Sequence, residues 1–235
     1  WVAGILGLIS TVVAWRFLPH DEDELFKSET KNPENELLTG GWSQLKQIMT
    51  PILITLFGMI FVASFGLAGF ESIYSLYVNE VHNFDLNAIA LVLTLNGIIS
   101  LILQVFFFDR LVRWLGEVRL MRYSFFLSLV GTIMVIYDHI HWHIIIATLF
   151  VFEAFDMLRP TITTLLTKMS KTNQGLLNGV NMSLTSVGNI IGPLISGYLL
   201  DVNYQCPYWF VSIFLIISWV ITLVLGRERK AATND

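Results

Sequence analysis

The sequence predicts an all-α membrane protein: a partial helical bundle with seven transmembrane helices. Three observations carry this expectation. First, of 235 residues, 54% are hydrophobic and only 14% charged, with a mean hydropathy of +0.66, whereas soluble domains run about 25% charged. Second, seven apolar stretches meet or approach the ~20 residues that a helix needs to cross a hydrocarbon core. Third, the basic residues segregate to one side of those stretches. Seventeen Phe and seven Trp add bulk suited to a lipid boundary.

The stretches are 1–18, about 52–78, 86–108, 121–138, 144–167, 179–200 and 207–226. The first opens on Trp1 inside an apolar run, with no initiator Met and no basic flank, which makes a poor signal peptide. Residues 1–18 are expected to be the last helix of an N-terminal half, truncated, with residues upstream missing. Residues 19–50, with DEDE at 21–24 followed by Lys, Glu, Asn and Pro, read as a solvated central linker with an amphipathic piece near Leu45 and Ile48. Thr50-Pro51 reads as a helix start, Thr as N-cap and Pro at N1, where a missing N–H costs nothing. Residues 51–226 are expected to form a six-helix bundle and 227–235 a tail. The single cysteine, Cys206, excludes an internal disulfide and any Cys-rich metal site.

Alternation across seven helices puts Arg16, Lys27, Lys31 and Lys46 on one side. The same side takes Arg110, Arg113, Arg119, Arg122, Lys168, Lys171, Arg227, Arg229 and Lys230. Of the 14 Lys and Arg only the intramembrane Arg159 remains, and the opposite loops hold none. The positive-inside rule makes the linker, the basic loop and the C-terminus cytoplasmic in a multi-pass protein of the cell membrane. One helix, a long linker and six further helices resemble half of a twelve-helix protein built from two parallel six-helix halves. That is the plan of the major facilitator superfamily.

Four segments carry chemistry. The stretch IIIATLFVFEAFDMLRPTITTLLT, residues 144–167, places Glu153, Asp156 and Arg159 within a 120° arc of one helix face, with Pro160 beside them. A charge at the bilayer centre costs ~2.5–3.5 kcal/mol even on the mildest scale, so such groups face a protein interior or a wet cavity and mark a functional site by default. Asp156 and Arg159 are expected to pair, either as proton-coupling equipment or as a structural ion pair. In the second stretch, Glu71 lies among Phe57, Phe61, Phe65, Phe70 and Tyr74. It is either a proton-accepting group or a carboxylate reaching the outer interface. In 178–201, Gly188, Gly192, Pro193 and Gly197 punctuate an apolar helix and are expected to let backbones approach. Asn178, Asn181, Thr185 and Asn189 recur at helical spacing, which makes one face polar. That face serves as helix–helix glue or as substrate contact. The loop FFFDRLVRWLGEVRL, residues 106–120, offers Asp109, Arg110, Gly116 and Arg119, as a gate between helix ends or as a topogenic cluster only.

A fifth segment, YDHIHWH at 137–143, alternates His139, His141 and His143 beside Asp138. Such a group can bind a metal or sense pH, but reads first as polar interface around Trp142, so no metal site is expected.

FDMLRPTIT at 155–163, QGLLNGVNMSLTSVGNIIGPLISGYLLDV at 174–202 and the basic loop resemble the NorA-type multidrug efflux pumps of Gram-positive bacteria, within the major facilitator superfamily. The likeness runs from about residue 52 to the end. It implies a twelve-helix proton antiporter that expels amphipathic, often cationic drugs and dyes. In that family a Glu of the seventh helix and an Asp with an Arg three residues later in the tenth lie on the substrate and proton pathway. The matching positions here are Glu71, Asp156 and Arg159, and Glu153 has no assigned equivalent. The basic loop departs from the superfamily's G-x-x-x-D-R-x-G-R-K pattern, because the leading Gly is absent and Asp109 stands too far from Gly116.

The function expected is thus export of drugs in exchange for protons by alternating access. Phe61, Phe65, Phe70, Tyr74, Phe152, Phe155 and Asn181 are candidate cavity lining. No cofactor is expected, only the proton gradient. The expected partners are small-molecule drugs, protons, the lipid bilayer and the missing N-terminal half, with no nucleic acid. A facilitator-type carrier of sugar, peptide or other metabolite is the alternative, with Asn181 and Gln104 binding hydroxyls. A membrane-embedded metalloenzyme at the histidines fits poorly, since they lie outside the core and the acids within it.

Overall fold

The computed structural model describes residues 7, 11, 12, 16, 49–169 and 174–231, with side chains through residue 226. In the first compact unit, Trp1–Ile48, the described residues are helical, and the Thr11 hydroxyl donates to the Gly7 carbonyl one turn back at 2.9 Å. The rest of the expected first helix and nearly all of the linker lie outside the described residues.

The second unit, Met49–Asp235, holds every element that follows. Helix α1 spans Pro51–His82, α2 Leu86–Ile102, α3 Phe108–Leu115, α4 Glu117–Tyr137, α5 His141–Met169, α6 Gln174–Val202 and α7 Cys206–Ala231. A π-helical turn, Leu103–Phe107, joins α2 to α3 without interruption, so Leu86–Leu115 is one 30-residue span. All regular structure among the described residues is helical. Among the described residues, five spans are long and apolar enough to cross a membrane: α1, α2 with α3, α4, α6 and α7. The count of seven is not confirmed by the described residues. The 1–18 stretch lies largely outside the described residues, and α5, though 29 residues long, carries Glu153, Asp156 and Arg159 in its middle.

Local chemistry sets the ends. Thr50, extended at φ −87° and ψ 156°, accepts the Leu53 N–H at its hydroxyl (3.4 Å), and Pro51 follows as the first helical residue. At the far end Asn83 turns left-handed (φ 55°) and its N–H returns to the Asn79 carbonyl. The Asn79 side chain then donates to the Phe84 carbonyl at 2.8 Å, closing the turn into α2. Gly116, at φ 76°, is the hinge between α3 and α4, a conformation that a Cβ disfavours. Most helices outrun their apolar stretches: α6 starts at Gln174 and α5 ends at Met169. A helix of this length measures ~43 Å at 1.5 Å per residue, longer than the ~30 Å apolar core.

Packing divides the helices. Helices α1 and α4 are mostly buried over their apolar windows, whereas α2, α6 and α7 expose broad faces. Without a hydrophobic drive between helices in lipid, close backbone approach and dispersion must hold them. The tightest crossing is α1 on α6. A Cβ on Gly188 would lie 2.9 Å from the Phe65 nitrogen, and one on Gly192 2.7 Å from the Phe65 carbonyl oxygen. On the α1 side, a Cβ on Gly69 would meet the Ser196 hydroxyl at 2.6 Å. Gly197, expected in the same contact, faces open space. The stripe runs 188, 192, 196 in steps of four, and the next residue is turned by ~100° away from α1. A second close contact joins α4 to α5, where a Cβ on Gly131 would stand 2.5 Å from Val151 Cγ2.

Candidate functional site: a charged cavity between three helices

Phe70 and Glu71 are adjacent in α1 and point to different surroundings. On one side Phe70, Tyr74 and Tyr77 meet Phe152 of α5 and Tyr208 of α7, with ring centroids at 5.3 Å for Phe70–Phe152, 5.1 Å for Phe70–Tyr208 and 4.5 Å for Tyr77–Tyr208. All five rings are buried. Their edge-to-face arrangement adds about 0.5–1.5 kcal/mol per pair beyond burial. Further along α1, Phe61 stacks on Phe65, and Phe65 packs edge-on against Phe210 and Phe214. Phe155 presses its ring against Gly66, 2.9 Å from where a Cβ would stand. The aromatic residues expected to line a cavity are thus core: Phe65, Phe70, Tyr74, Phe152 and Phe155 are buried, and only Phe61 is half-exposed. Asn181 is likewise buried, donating to the Thr163 hydroxyl of α5 at 3.0 Å.

On the other side Glu71 is exposed to a cavity of about 360 Å³ lined by Leu67, Ala68, Glu71 and Ser72 of α1, Arg159 of α5, and Asn189 and Pro193 of α6. The structure therefore brings Glu71 and Arg159 to one wall-to-wall space, together with an Asn from the polar stripe of α6. Arg159 is exposed, and no ion pair forms between it and Asp156. The direct Asp156–Arg159 pair expected from spacing is absent because the two side chains diverge: Arg159 joins α1 and α6 at the cavity, while Asp156 turns to α2. There the Ser100 hydroxyl donates to Asp156 Oδ2 at 2.8 Å, and Gln104 Nε2 donates to Ser100 Oγ at 3.0 Å. Glu153, one turn earlier, is buried, with both carboxyl oxygens lacking a hydrogen-bond partner. Such a group is expensive wherever it carries charge.

At the basic end a second cavity, about 400 Å³, is lined by Thr163, Thr164, Thr167, Lys168 and Gln174. Nearby, Lys168 of α5 is ion-paired with Glu117, the first residue of α4. Asp109, Arg110 and Arg119 of the expected gate are exposed and form no ion pair among the described residues, whereas Glu117 of the same loop pairs with Lys168. Arg122 adds a tie from α4 to α7, donating to the Thr222 carbonyl at 2.8 Å.

The histidines separate. His143 Nδ1 meets Asp138 Oδ2 at 2.9 Å, His141 stacks on Phe84 at 4.9 Å, and His139 lies 6.3 Å from His82, ring to ring. No group of three His, Cys, Asp or Glu among the described residues is gathered for a metal. The Asp138 carboxyl, outside the spans, is held below the ordinary carboxylate range, chiefly by the Ile140 backbone N–H and then by His143.

Several site residues escaped the sequence reading. Asn96 and Ser100 belong with Gln104 to a polar stripe, each four residues from the next, on an otherwise apolar span. That spacing is the signal that could have found them.

A charged cavity lined by long helices, among others long and apolar enough to cross a bilayer, fits a multi-pass membrane protein. The profile of the Major Facilitator Superfamily matches residues 1–169 and again 56–235. The chain belongs to that superfamily. It is 38% identical to Multidrug resistance protein 1 of Bacillus subtilis (strain 168) over 205 residues, 86% of this chain and 53% of that protein. It is 32% identical to Quinolone resistance protein NorA of Staphylococcus aureus (strain COL) over 236 residues, 100% of this chain and 58% of that protein. The chain thus spans just over half the length of the curated relatives it matches. Family and relatives point to transport rather than catalysis.

Proposed function

We propose that this chain supplies one half of a proton-driven exporter of amphipathic, often cationic drugs or dyes, working by alternating access in the cell membrane with its basic end in the cytoplasm. The observation that carries the reading is the meeting of Glu71 and Arg159 in one cavity, with Asp156 three residues from Arg159 and turned to a separate hydrogen-bonded seat. Two carboxylates in unlike surroundings are the least equipment that can take up a proton at one and release a cation from another. A carboxylate at the wall of an open cavity attracts a lipophilic cation, and the proton that neutralises it competes for the same oxygens. Drug and proton therefore exclude each other, which is antiport. Arg159 supplies the fixed positive charge that makes Glu71 tolerable when both drug and proton are gone. The half-exposed Phe61 is the aromatic residue nearest to serving as a cation–π surface. The names of the relatives, multidrug and quinolone resistance proteins, favour drugs over sugars as cargo.

The test is ethidium efflux, driven by an imposed proton gradient, in cells expressing the full coding sequence. Glu71→Gln and Asp156→Asn are expected to abolish coupled efflux. Unchanged coupled efflux in both variants overturns the proposal, and a resistance profile without drugs but with growth on a sugar or peptide would make the carrier reading the better one.

A further inference from the structure

Helix α2 contains no titratable side chain between Leu86 and Ile102, yet it and the π-helical turn that continues it present Asn96, Ser100 and Gln104 in steps of four. Residues four apart sit one above another on a helix face. Ser100 is buried and bonded on both sides, accepting from Gln104 Nε2 and donating to Asp156 Oδ2. One turn away, the Asn96 side-chain carbonyl oxygen Oδ1 is buried with no hydrogen-bond partner. A buried acceptor without a donor is costly in free energy and calls for an explanation. Directly after Ser100, α2 leaves the α-helical pattern: the Phe108 N–H reaches back five residues to the Leu103 carbonyl. Single π turns of this kind are frequent at functional sites.

We propose that Asn96, Ser100 and Gln104 form a reversible hydrogen-bond relay that reports whether Asp156 carries a proton. The inference rests on the proton-coupled reading above. With Asp156 ionised, the bonds run toward it: Gln104 N–H to Ser100 Oγ, and Ser100 O–H to Asp156. With Asp156 protonated, its own O–H donates to Ser100 Oγ, whose second lone pair still accepts Gln104. The Ser100 proton then turns to Asn96 Oδ1, filling the empty acceptor. The Ser100 hydroxyl and the Gln104 amide are bonded in both states, the Asn96 acceptor only in the protonated one, and no proton leaves the relay. The ordinary inventory of a serine hydroxyl, one donor and two acceptor sites, is what permits the reversal.

The other ionisable groups around Asp156 are few. Its own helix carries Glu153 and Arg159 beside it and His141, His143 and Lys168 toward its ends, and α1 carries Glu71, Tyr74 and Tyr77 along its length with Glu80 and His82 at its end. Those of α4, namely Glu117, Arg119, Arg122, Tyr123 and Tyr137, sit at its two ends, and α6 has none before Tyr198. The relay therefore supplies the hydrogen bonds from α2 that distinguish the two protonation states.

Its signature is a pair of shifts of opposite sign. Ser100→Ala removes a bond from each state, but the one to the ionised carboxyl is the stronger, so the pH midpoint of coupled efflux moves up. Asn96→Leu removes the acceptor needed by the protonated state, so the midpoint moves down. Each shift is expected to be about half to one pH unit. Gln104→Leu, which loses a bond present in both states, leaves the midpoint in place. The experiment measures ethidium efflux against external pH for the purified full-length protein in proteoliposomes, with Asp156→Asn as reference. If Ser100→Ala does not accumulate, Ser100→Cys reads the same upward shift at smaller size, a thiol being a weaker donor. Shifts of the same sign in both variants, or no shift in either while Asp156→Asn abolishes efflux, overturn the relay. Efflux untouched by Asp156→Asn would instead overturn the proton-coupled reading itself.

Discussion

The two flanks of α1 solve opposite problems with neighbouring residues. Around Phe70, five buried rings from α1, α5 and α7 interlock. Around Glu71, one residue on, the helix opens onto a cavity shared with Arg159 and Asn189. The first flank is fixed by dispersion and has no room. The second has room, and its two charged side chains, Glu71 and Arg159, are exposed to it. Stability should therefore reside on one side of α1 and transport on the other.

The largest effect that would break this division is on the ring cluster. Phe70→Ala should lower stability by about 3–5 kcal/mol, as large aromatic deletions in tight cores do, measured as the denaturation midpoint of the full-length protein in detergent. A much smaller loss would mean that the rings do not form the rigid flank. Next comes the crossing, where Gly192→Ala should cost about 1–3 kcal/mol by overpacking against the Phe65 backbone. Gly197→Ala, facing open space, should change stability by less than about 0.5 kcal/mol. Equal costs at the two glycines would refute the stripe at 188, 192 and 196. On the cavity flank, Glu71→Gln should also stay within about 0.5 kcal/mol while ethidium transport is lost, the sharpest separation of the two flanks.

The smallest expected effect lies at the histidine end. Asp138 has its folded-state value depressed by the Ile140 N–H and His143. A depressed carboxyl contributes stability that is present above its ordinary range and disappears as the pH falls through the lowered folded value. Asp138→Asn should thus lower the melting temperature slightly at neutral pH, and the difference from the unchanged protein should close on acidification. A difference that persists in acid would assign the effect to something other than this carboxyl.

The start of α1 was legible because Thr50 and Pro51 act locally, through one hydroxyl and one missing N–H. Glu71, Asp156 and Arg159 were conspicuous in the sequence because charges are rare among Phe and Ile, and the structure brings two of them, Glu71 and Arg159, to one cavity. What could not be read was helix rotation. In a span apolar on every face, periodicity says nothing about which ring looks inward, and so Phe65, Phe70, Phe152 and Phe155 were expected at a cavity and stand in the core. The Asp156–Arg159 pair failed for a related reason. Three residues along a helix bring two side chains within reach, but the neighbours of each decide where it goes, and α2 offered Asp156 a hydroxyl. Gly197 failed by one residue of register.

Both interior prolines stand four residues after a residue of the site: Pro160 after Asp156, and Pro193 after Asn189. Proline has no N–H to give to the carbonyl four positions before it and presses its ring against that carbonyl. The main chains of α5 and α6 are thus deprived of their ordinary rung at the two positions whose side chains adjoin the charges. Where the helix is free to bend, it also presents a bare carbonyl oxygen at the depth of the acids, so that flexing and polarity are written into the same two peptide units.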